Sequence, residues 1–368
     1  MSTTEISMLR YIKETPDQVR ANIGDSKYLT RRMVDLFLIH PYRTIWLVAC
    51  GSSCNACHCA RYYMKSRLGA EVKIVTPFTF NHYEHDMTPE DFVVCISQSG
   101  CSTNTIESLR LCRKLGVPAI GLTGNIHSDF KNEADEVIDF GLGSEKLDFV
   151  TKGVVTLTAF LMLFALHAAR AQNILSDEDV IADKKQMMAC MDSYDALIAA
   201  YPAYFEANKQ KLLSMERVYL IGAGANYGTV LEGAVKIGET VHILAVGYEI
   251  DESIHGPQIQ LTPNYNLFFL DPGDETSTRI RQEWQAAQKI TDRVFALSNN
   301  PDLKGTGVMR VPAVEDELFS PLYSLAFVQL TAYYVAETNY TWHQHPLLQD
   351  FKTMLSGKSD TYKAYDCT

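Results

Sequence analysis

The sequence predicts an α/β protein of two doubly wound αβα domains, each a mainly parallel five-stranded sheet with helices on both faces. Three observations predict it. Strand patterns alternate with helical patterns through the first half, the alternation restarts after a purely helical stretch, and both halves contain a strand that runs into a glycine turn and then a helix. At 368 residues, 46% hydrophobic and 21% charged, the chain is long enough for two domains of ordinary size.

Met8 to Ile23 reads as an amphipathic leading helix, with Tyr11, Ile12 and Val19 set among polar residues, and a long connection follows it. A strand over Thr44 to Ala49 then runs into Cys50-Gly51-Ser52-Ser53 and a helix to Leu68. Further strands read at Glu71 to Val75, Val93 to Ile96, Pro118 to Leu122 and Glu136 to Phe140. Residues 153–175 and 183–213 are helical in pattern with no strand candidate between them, a natural hinge between halves. The pattern restarts at Val218 to Ile221, passes through Gly222-Ala223-Gly224-Ala225-Asn226-Tyr227-Gly228 into a helix ending near Glu239, and continues with strands at Leu267 to Leu270, Val294 to Leu297 and Val308 to Val311. Gly222 answers Gly51, the mark of an internal duplication. The expected layout is a leading helix in residues 1–30, a first domain over 31–175, a helical connection over 176–213, a second domain over 214–340 and a tail over 341–368.

A formal net charge of −11 argues against nucleic-acid or anionic-membrane partners, which need a basic stripe, so an anionic ligand has to be held locally. The first turns carry Glu5, Arg10 and Lys13 rather than a secretory signal, and Gly153 to Ala169, the longest apolar candidate, is broken by Thr156, Thr158 and His167. A cytoplasmic location is therefore the expectation, with the nine cysteines reduced. Cys54-Asn55-Ala56-Cys57-His58 has the spacing of haem attachment or a zinc knuckle. These residues open a helix, however, where small side chains packing on a sheet are the simpler reading, and no metal is assigned. His82-Tyr83-Glu84-His85-Asp86 reads as a solvated polar connection. Gly222-Ala223-Gly224 with Gly228 misses the dinucleotide spacing by one residue. The acidic Tyr248-Glu249-Ile250-Asp251 lacks a clear preceding strand, so a nicotinamide cofactor is not expected.

The stretch that carries chemistry is Val93-Val94-Cys95-Ile96-Ser97-Gln98-Ser99-Gly100-Cys101-Ser102-Thr103-Asn104-Thr105. A β-branched strand opens into hydroxyls and a glycine just ahead of a helix. Ser97, Ser99, Ser102 and Thr103 offer donors, Gly100 lets the backbone approach, and the free N–H groups of the helix favour an anion. No lysine lies in this loop, which separates it from the nucleotide-binding P-loop.

Gly51-Ser52-Ser53, Ser97-Gln98-Ser99-Gly100 with Ser102, Leu231-Glu232-Gly233-Ala234-Val235-Lys236-Ile237-Gly238-Glu239 and His255-Gly256-Pro257 resemble, in order, the motifs of the sugar isomerase (SIS) domain family. In particular they resemble those of the tandem SIS isomerase half of glucosamine-6-phosphate synthase and of the fructosamine 6-phosphate deglycases. The resemblance implies that Ser53, Ser97, Gln98, Ser99 and Ser102 hold the 6-phosphate and nearby hydroxyls of a sugar. It further implies that Glu239 is the base moving a proton between C1 and C2, that Lys236 is its polar partner, and that His255 opens the sugar ring from a neighbouring subunit. The chemistry suits these types, because a close carboxylate can take a proton from one carbon and return it to the next, and a histidine can serve a ring oxygen in either direction.

Departures from the family pattern narrow the expectation. The chain starts Met1-Ser2-Thr3, with no cysteine nucleophile behind the initiator, so it is not expected to make ammonia from glutamine. Gly143-Ser144-Glu145-Lys146 with Thr151-Lys152-Gly153, and His345-Pro346 in the tail, look more like the deglycases, while Pro77 replaces a glutamate common in the family. Thr151 and Lys352 complete the candidate sugar contacts. The resemblance implies removal of an amine from a 6-phosphorylated ketosamine, without metal or redox cofactor, in a homodimer or higher homo-oligomer with shared sites. A phosphosugar isomerase or deaminase using the same base, and a binding protein without turnover, are the alternatives.

Overall fold

The computed structural model describes residues 7–147, 149–312, 314 and 316–362. Asp148 of the 146–153 loop and the outer ends of the leading segment and tail, residues 1–6 and 363–368, lie outside the described residues. The chain divides into two compact units, one holding Asp17–Lys184 and the residues from Gln344 onward, the other holding Lys185–His343 and the residues up to Pro16.

In chain order the first unit's elements are helices α1 (Met8–Gly24, its N-terminal part belonging to the second unit) and α2 (Ser26–Phe37), strand β1 (Thr44–Ala49), α3 (Ser52–Leu68), β2 (Glu71–Val75), α4 (Pro77–His82), β3 (Phe92–Ile96), α5 (Thr103–Leu115), β4 (Ala119–Thr123), α6 (Phe130–Glu133), β5 (Glu136–Asp139) and α7 (Lys152–Ala171). Helix α8 (Asp177–Leu213) leads into the second unit, with β6 (Arg217–Gly222), α9 (Asn226–Val241), β7 (Leu244–Glu249), β8 (Tyr265–Leu270), α10 (Ser277–Ala287), β9 (Val294–Leu297), β10 (Val308–Met309) and α11 (Pro321–Asn339); α12 (Leu348–Met354) returns to the first. All pairings between these strands are parallel. The sheet orders are β2-β1-β3-β4-β5 and β10-β9-β8-β6-β7. Both five-stranded sheets of the expected doubly wound fold are therefore present, and they share one topology.

Three elements depart from the sequence reading. The expected connection after α1 contains α2, whose buried residues Ser26, Thr30, Met33, Val34 and Phe37 follow helical spacing. Two polar residues on that face hid the pattern, and burial is tolerated because the Thr30 hydroxyl donates to the Ser26 carbonyl at 2.8 Å. The stretch before His82 is helical rather than an open connection, with Pro77 at the first position of α4, where its missing N–H costs nothing. The third is β7, paired along its length with β6 and read from sequence as an indistinct segment. Leu244–Glu249 is only partly buried, and its centre is Gly247. A Cβ there would lie 2.7 Å from the Val230 carbonyl oxygen of α9, so the glycine marks close backbone approach rather than a broken strand.

The register also corrects the duplication. Ala49 pairs with Ile96 in one sheet and Gly222 with Leu270 in the other, so the counterpart of Gly51 is Gly224, not Gly222. Both adopt positive φ, +58° and +54°, which a glycine takes at little steric cost. Helix α7 is long and apolar enough to cross a membrane, yet most of it is buried inside the first unit against α2 and α3.

Because Gly247 touches backbone rather than a movable side-chain end, Gly247→Ala should destabilise the protein by roughly 1–3 kcal/mol through overpacking against α9. Denaturant titration would measure it, and an unchanged midpoint would show that α9 can move away without cost.

Candidate active site

Pairing of β1 with β3 sets two strand-to-helix turns side by side, one carrying Ser53 in the first turn of α3 and the other carrying Ser97 to Ser102 ahead of α5. The Asn104 amide, 3.6 Å from Cys50 Sγ, bridges them. Ser53, Ser97 and Ser102 are buried, and the Ser97 hydroxyl donates to Ser102 Oγ at 2.9 Å. Gly100 turns the chain at φ +63°, so tightly that a Cβ would lie 1.8 Å from Ser128 Oγ.

Sequence reasoning missed what enters this cradle. The tail crosses its mouth as a short antiparallel bridge between Ser102 and Lys358, with the Ser359 N–H donating to the Cys101 carbonyl at 2.9 Å and the Thr103 N–H donating to the Gly357 carbonyl at 3.1 Å. That last bond uses one of the helix N–H groups expected to be free. Lys358 Nζ replaces it with a stronger donor, 2.9 Å from Ser99 Oγ and 3.3 Å from Ser102 Oγ. Its stem is exposed but its amine is crowded, and that desolvation lowers the amine's pKa. Lys352, the tail lysine singled out from sequence, is exposed and donates to Gln344 Oε1 at 2.8 Å. Gly357-Lys358-Ser359 sits beyond the segment that the His-Pro pattern drew attention to, and only its backbone pairing reveals it.

The second missed residue is Glu145. Its Oε1 accepts from the N–H groups of Thr151 and Lys152 at 3.0 and 2.6 Å, and its Oε2 from the Gly153 N–H at 3.1 Å and Gln98 Nε2 at 2.9 Å. One carboxylate thus caps α7 and orients Gln98. A Cβ at Gly153 would lie 1.8 Å from Gln98 Oε1, so any larger residue there has to displace the amide that Glu145 holds. Thr151 is buried at the α7 N-cap, its hydroxyl donating to the Phe149 carbonyl at 3.2 Å. Gln98, Ser99, Asn125, Ser144, Glu145 and Lys358 line a cavity of about 350 Å³.

Cys54 and Cys57 belong to the packing of α3. Burial pushes the Cys54 thiol up to about 11 and raises Cys57 well above the ordinary range, so both remain protonated thiols.

In the second unit, Glu232, Lys236 and Glu239 lie on one face of α9. Lys236 is fully buried, 2.5 Å from Glu239 Oε2 and 3.5 Å from Glu232 Oε1, whereas 41% of the Glu239 side chain is exposed. Burial pulls the Lys236 ammonium down, but the two carboxylates outweigh it and raise its pKa overall. His255 is exposed just after a short 3₁₀ segment (Glu252–Ile254), its N–H donating to the Glu252 carbonyl at 3.2 Å.

The duplicated position of Ser97 is taken by Asp271: the Ser97 N–H donates to Leu122 O at 3.1 Å, and the Asp271 N–H donates to Leu297 O at 3.0 Å. The Asp271 carboxylate accepts from Ser277, from Ser298 Oγ at 2.6 Å and from the Gly273 N–H at 3.1 Å. The second sheet fills its own anion position with a side chain.

Residues 38–166 match the family model described as the SIS domain. The glutamine–fructose-6-phosphate aminotransferase (isomerizing) of Clostridium tetani is 25% identical over 347 residues, covering 89% of this chain and 55% of the relative. The chain thus spans about half the length of the curated relatives it matches. A candidate phosphosugar isomerase of Clostridium difficile superposes with a TM-score of 0.87 at 22% identity, covering 96% of this chain and 99% of that one. The C-terminal domain of glucosamine-fructose-6-phosphate aminotransferase from Francisella tularensis gives 0.81 at 23% identity, covering 91% and 96%. These structural likenesses establish the fold.

Only the Ser97 cradle should take inorganic phosphate, giving one site per chain by calorimetry. Ser99→Ala and Lys358→Met should each weaken it by roughly 1.5–3 kcal/mol, the worth of a charge-assisted hydrogen bond. Affinity should fall as pH rises through the lowered pKa of Lys358, because the ammonium loses its charge there. Two phosphates per chain would contradict the role given to Asp271.

Proposed function

From a chain whose residues 38–166 match the SIS-domain model and which is 25% identical to an isomerizing aminotransferase over 89% of its length, we propose an enzyme that releases an amine from a 6-phosphorylated ketosamine of the fructosamine 6-phosphate type. The observation that carries the reading is the α9 pair: a fully buried ammonium, Lys236, set against a carboxylate, Glu239, that is open to a ligand. A base of this kind needs a neighbour that steadies its charge without taking its place at the substrate.

In this reading Ser97, Ser99, Ser102 and Lys358 take the phosphate, and Ser53, Gln98 and Thr151 frame the sugar. His255 moves a proton between the anomeric hydroxyl and the ring oxygen to open the ring. Glu239 removes a proton from C1 to give an enaminol and returns it at C2. The C1 Schiff base then adds water, and the C–N bond breaks to leave an aldose 6-phosphate and a free amine. The same proton shuttle on a substrate lacking the amine would be aldose–ketose isomerisation, and the relatives' printed names, an isomerizing aminotransferase and a candidate phosphosugar isomerase, keep that second reading in view. The exposure of His255, with Ile259 beside it 84% exposed, supports a homo-oligomer in which one subunit's histidine serves another's site.

Incubation with a panel of 6-phosphorylated ketosamines and with fructose 6-phosphate, following free amine and aldose phosphate by mass, tests the reading. Isomerisation without amine release would select the second one. Glu239→Gln should lower kcat by about 10² to 10⁴ while leaving substrate affinity nearly intact; an unchanged kcat would remove Glu239 from the chemistry. Glu239→Gln and His255→Ala, each nearly inactive alone, should regain activity when mixed and allowed to exchange subunits. Hybrids confirmed by mass but inactive would end the shared-site model.

A further inference from the structure

The loop carrying His255 is fastened by groups to which the proposed reaction gives no role. Glu249 Oε2, at the end of β7, accepts from the Asp251 N–H at 3.0 Å and the Glu252 N–H at 3.3 Å. Arg279 Nε, on α10, pairs with Asp251 Oδ1 at 2.7 Å. One turn further along α10, Glu283 Oε1 makes a short hydrogen bond to Ser253 Oγ, two residues before the histidine. Ser253 is 2% exposed, and its hydroxyl also lies 2.7 Å from the Ile250 carbonyl oxygen.

Counting protons fixes the state of this cluster. A serine hydroxyl has one hydrogen, and here it faces two oxygens, Ile250 O and Glu283 Oε1. With an ionised Glu283 one of those contacts is oxygen against oxygen with no proton between. With a protonated Glu283 both are hydrogen bonds, the carboxyl donating to Ser253 and Ser253 donating to Ile250 O. The other carboxyl oxygen, Oε2, is buried with no hydrogen-bond partner, which a neutral acid tolerates far better than an anion.

We propose that Glu283 is the positioning residue of the His255 loop, a neutral carboxylic acid whose proton latches Ser253 and holds residues 250–256 in place; its effect on turnover rests on the assignment of His255 above. The charged groups facing it are Arg279 on its own helix and Asp251 and Glu249 on the loop and strand it packs against. Burial is the largest influence and the two acids add to it, outweighing Ser253 and Arg279, so the carboxyl is pushed up to about 7. The folded-state pKa lies above the unfolded one, so the latch is complete below the ordinary carboxylate range and is lost as pH rises through about 7.

The test reads amide-exchange protection of residues 250–256 and the pH profile of kcat in wild type, Glu283→Gln and Glu283→Ala. Glutamine can donate to Ser253 at every pH, so Glu283→Gln should keep protection and lose the wild-type decline above neutrality. Glu283→Ala should lose about tenfold in protection and in kcat at pH 6, with KM little changed. Equal protection in wild type and Glu283→Ala overturns the latch, and lost protection with unchanged kcat overturns its bearing on the reaction. If wild type turns over no phosphosugar, the functional reading fails while the exchange measurement still decides the latch.

Discussion

Parallel strands cannot be joined by a tight turn, and that constraint organises both units. Each strand must be followed by a crossover, so the carboxyl ends of all five strands in a sheet collect along one edge, and the loops there face the same way. In the first sheet the chain passes from β1 to β2 on one side and then crosses back to β3 on the other side of β1, and this reversal opens a crevice between the turns that follow β1 and β3. Ser53 and the Ser97 to Ser102 cradle are neighbours because of that reversal. Glu145 extends the arrangement by tying the first turn of α7 to Gln98, so a helix far along the chain is indexed to the cradle by one carboxylate.

The two sheets are copies in topology, and their divergence is chemical rather than architectural. At matched positions one presents a serine and the other an aspartate, and two hydroxyls at the second sheet's edge, Ser277 and Ser298, are bound to that aspartate. A phosphate and a carboxylate ask for the same donors. By supplying the anion itself, the second unit has a structural loop where the first has a cradle of hydroxyls.

Much of this was legible from residue pattern. The β-branched runs ending in small polar residues gave β1, β3, β6, β8 and β9, because strands buried on both faces are nearly continuous in apolar residues. The cradle was legible because several hydroxyls and a glycine follow a buried strand directly and precede a helix. What escaped detection was whatever depends on partners distant in sequence. Helix α2 has serine and threonine on its buried face, and β7 has a glycine at the point of closest approach to α9. Glu145 looks like any loop acid until four donors are seen converging on it, and Lys358 looks like any tail lysine until the tail pairs with Ser102. Lys352 drew attention because of the motif ahead of it, and its amine ends on Gln344 within the tail.

Helix α7 has a further consequence, for the order in which the protein is made. Twenty residues, Lys152–Ala171, with the apolar character of a membrane span are harmless once buried, but a growing chain exposes each segment before its partners exist unless they were synthesised earlier. Here they were: α2, α3 and all five strands of the first sheet precede α7. This long apolar segment leaves the ribosome after the elements it packs on, so the sequence order itself acts as a safeguard during synthesis.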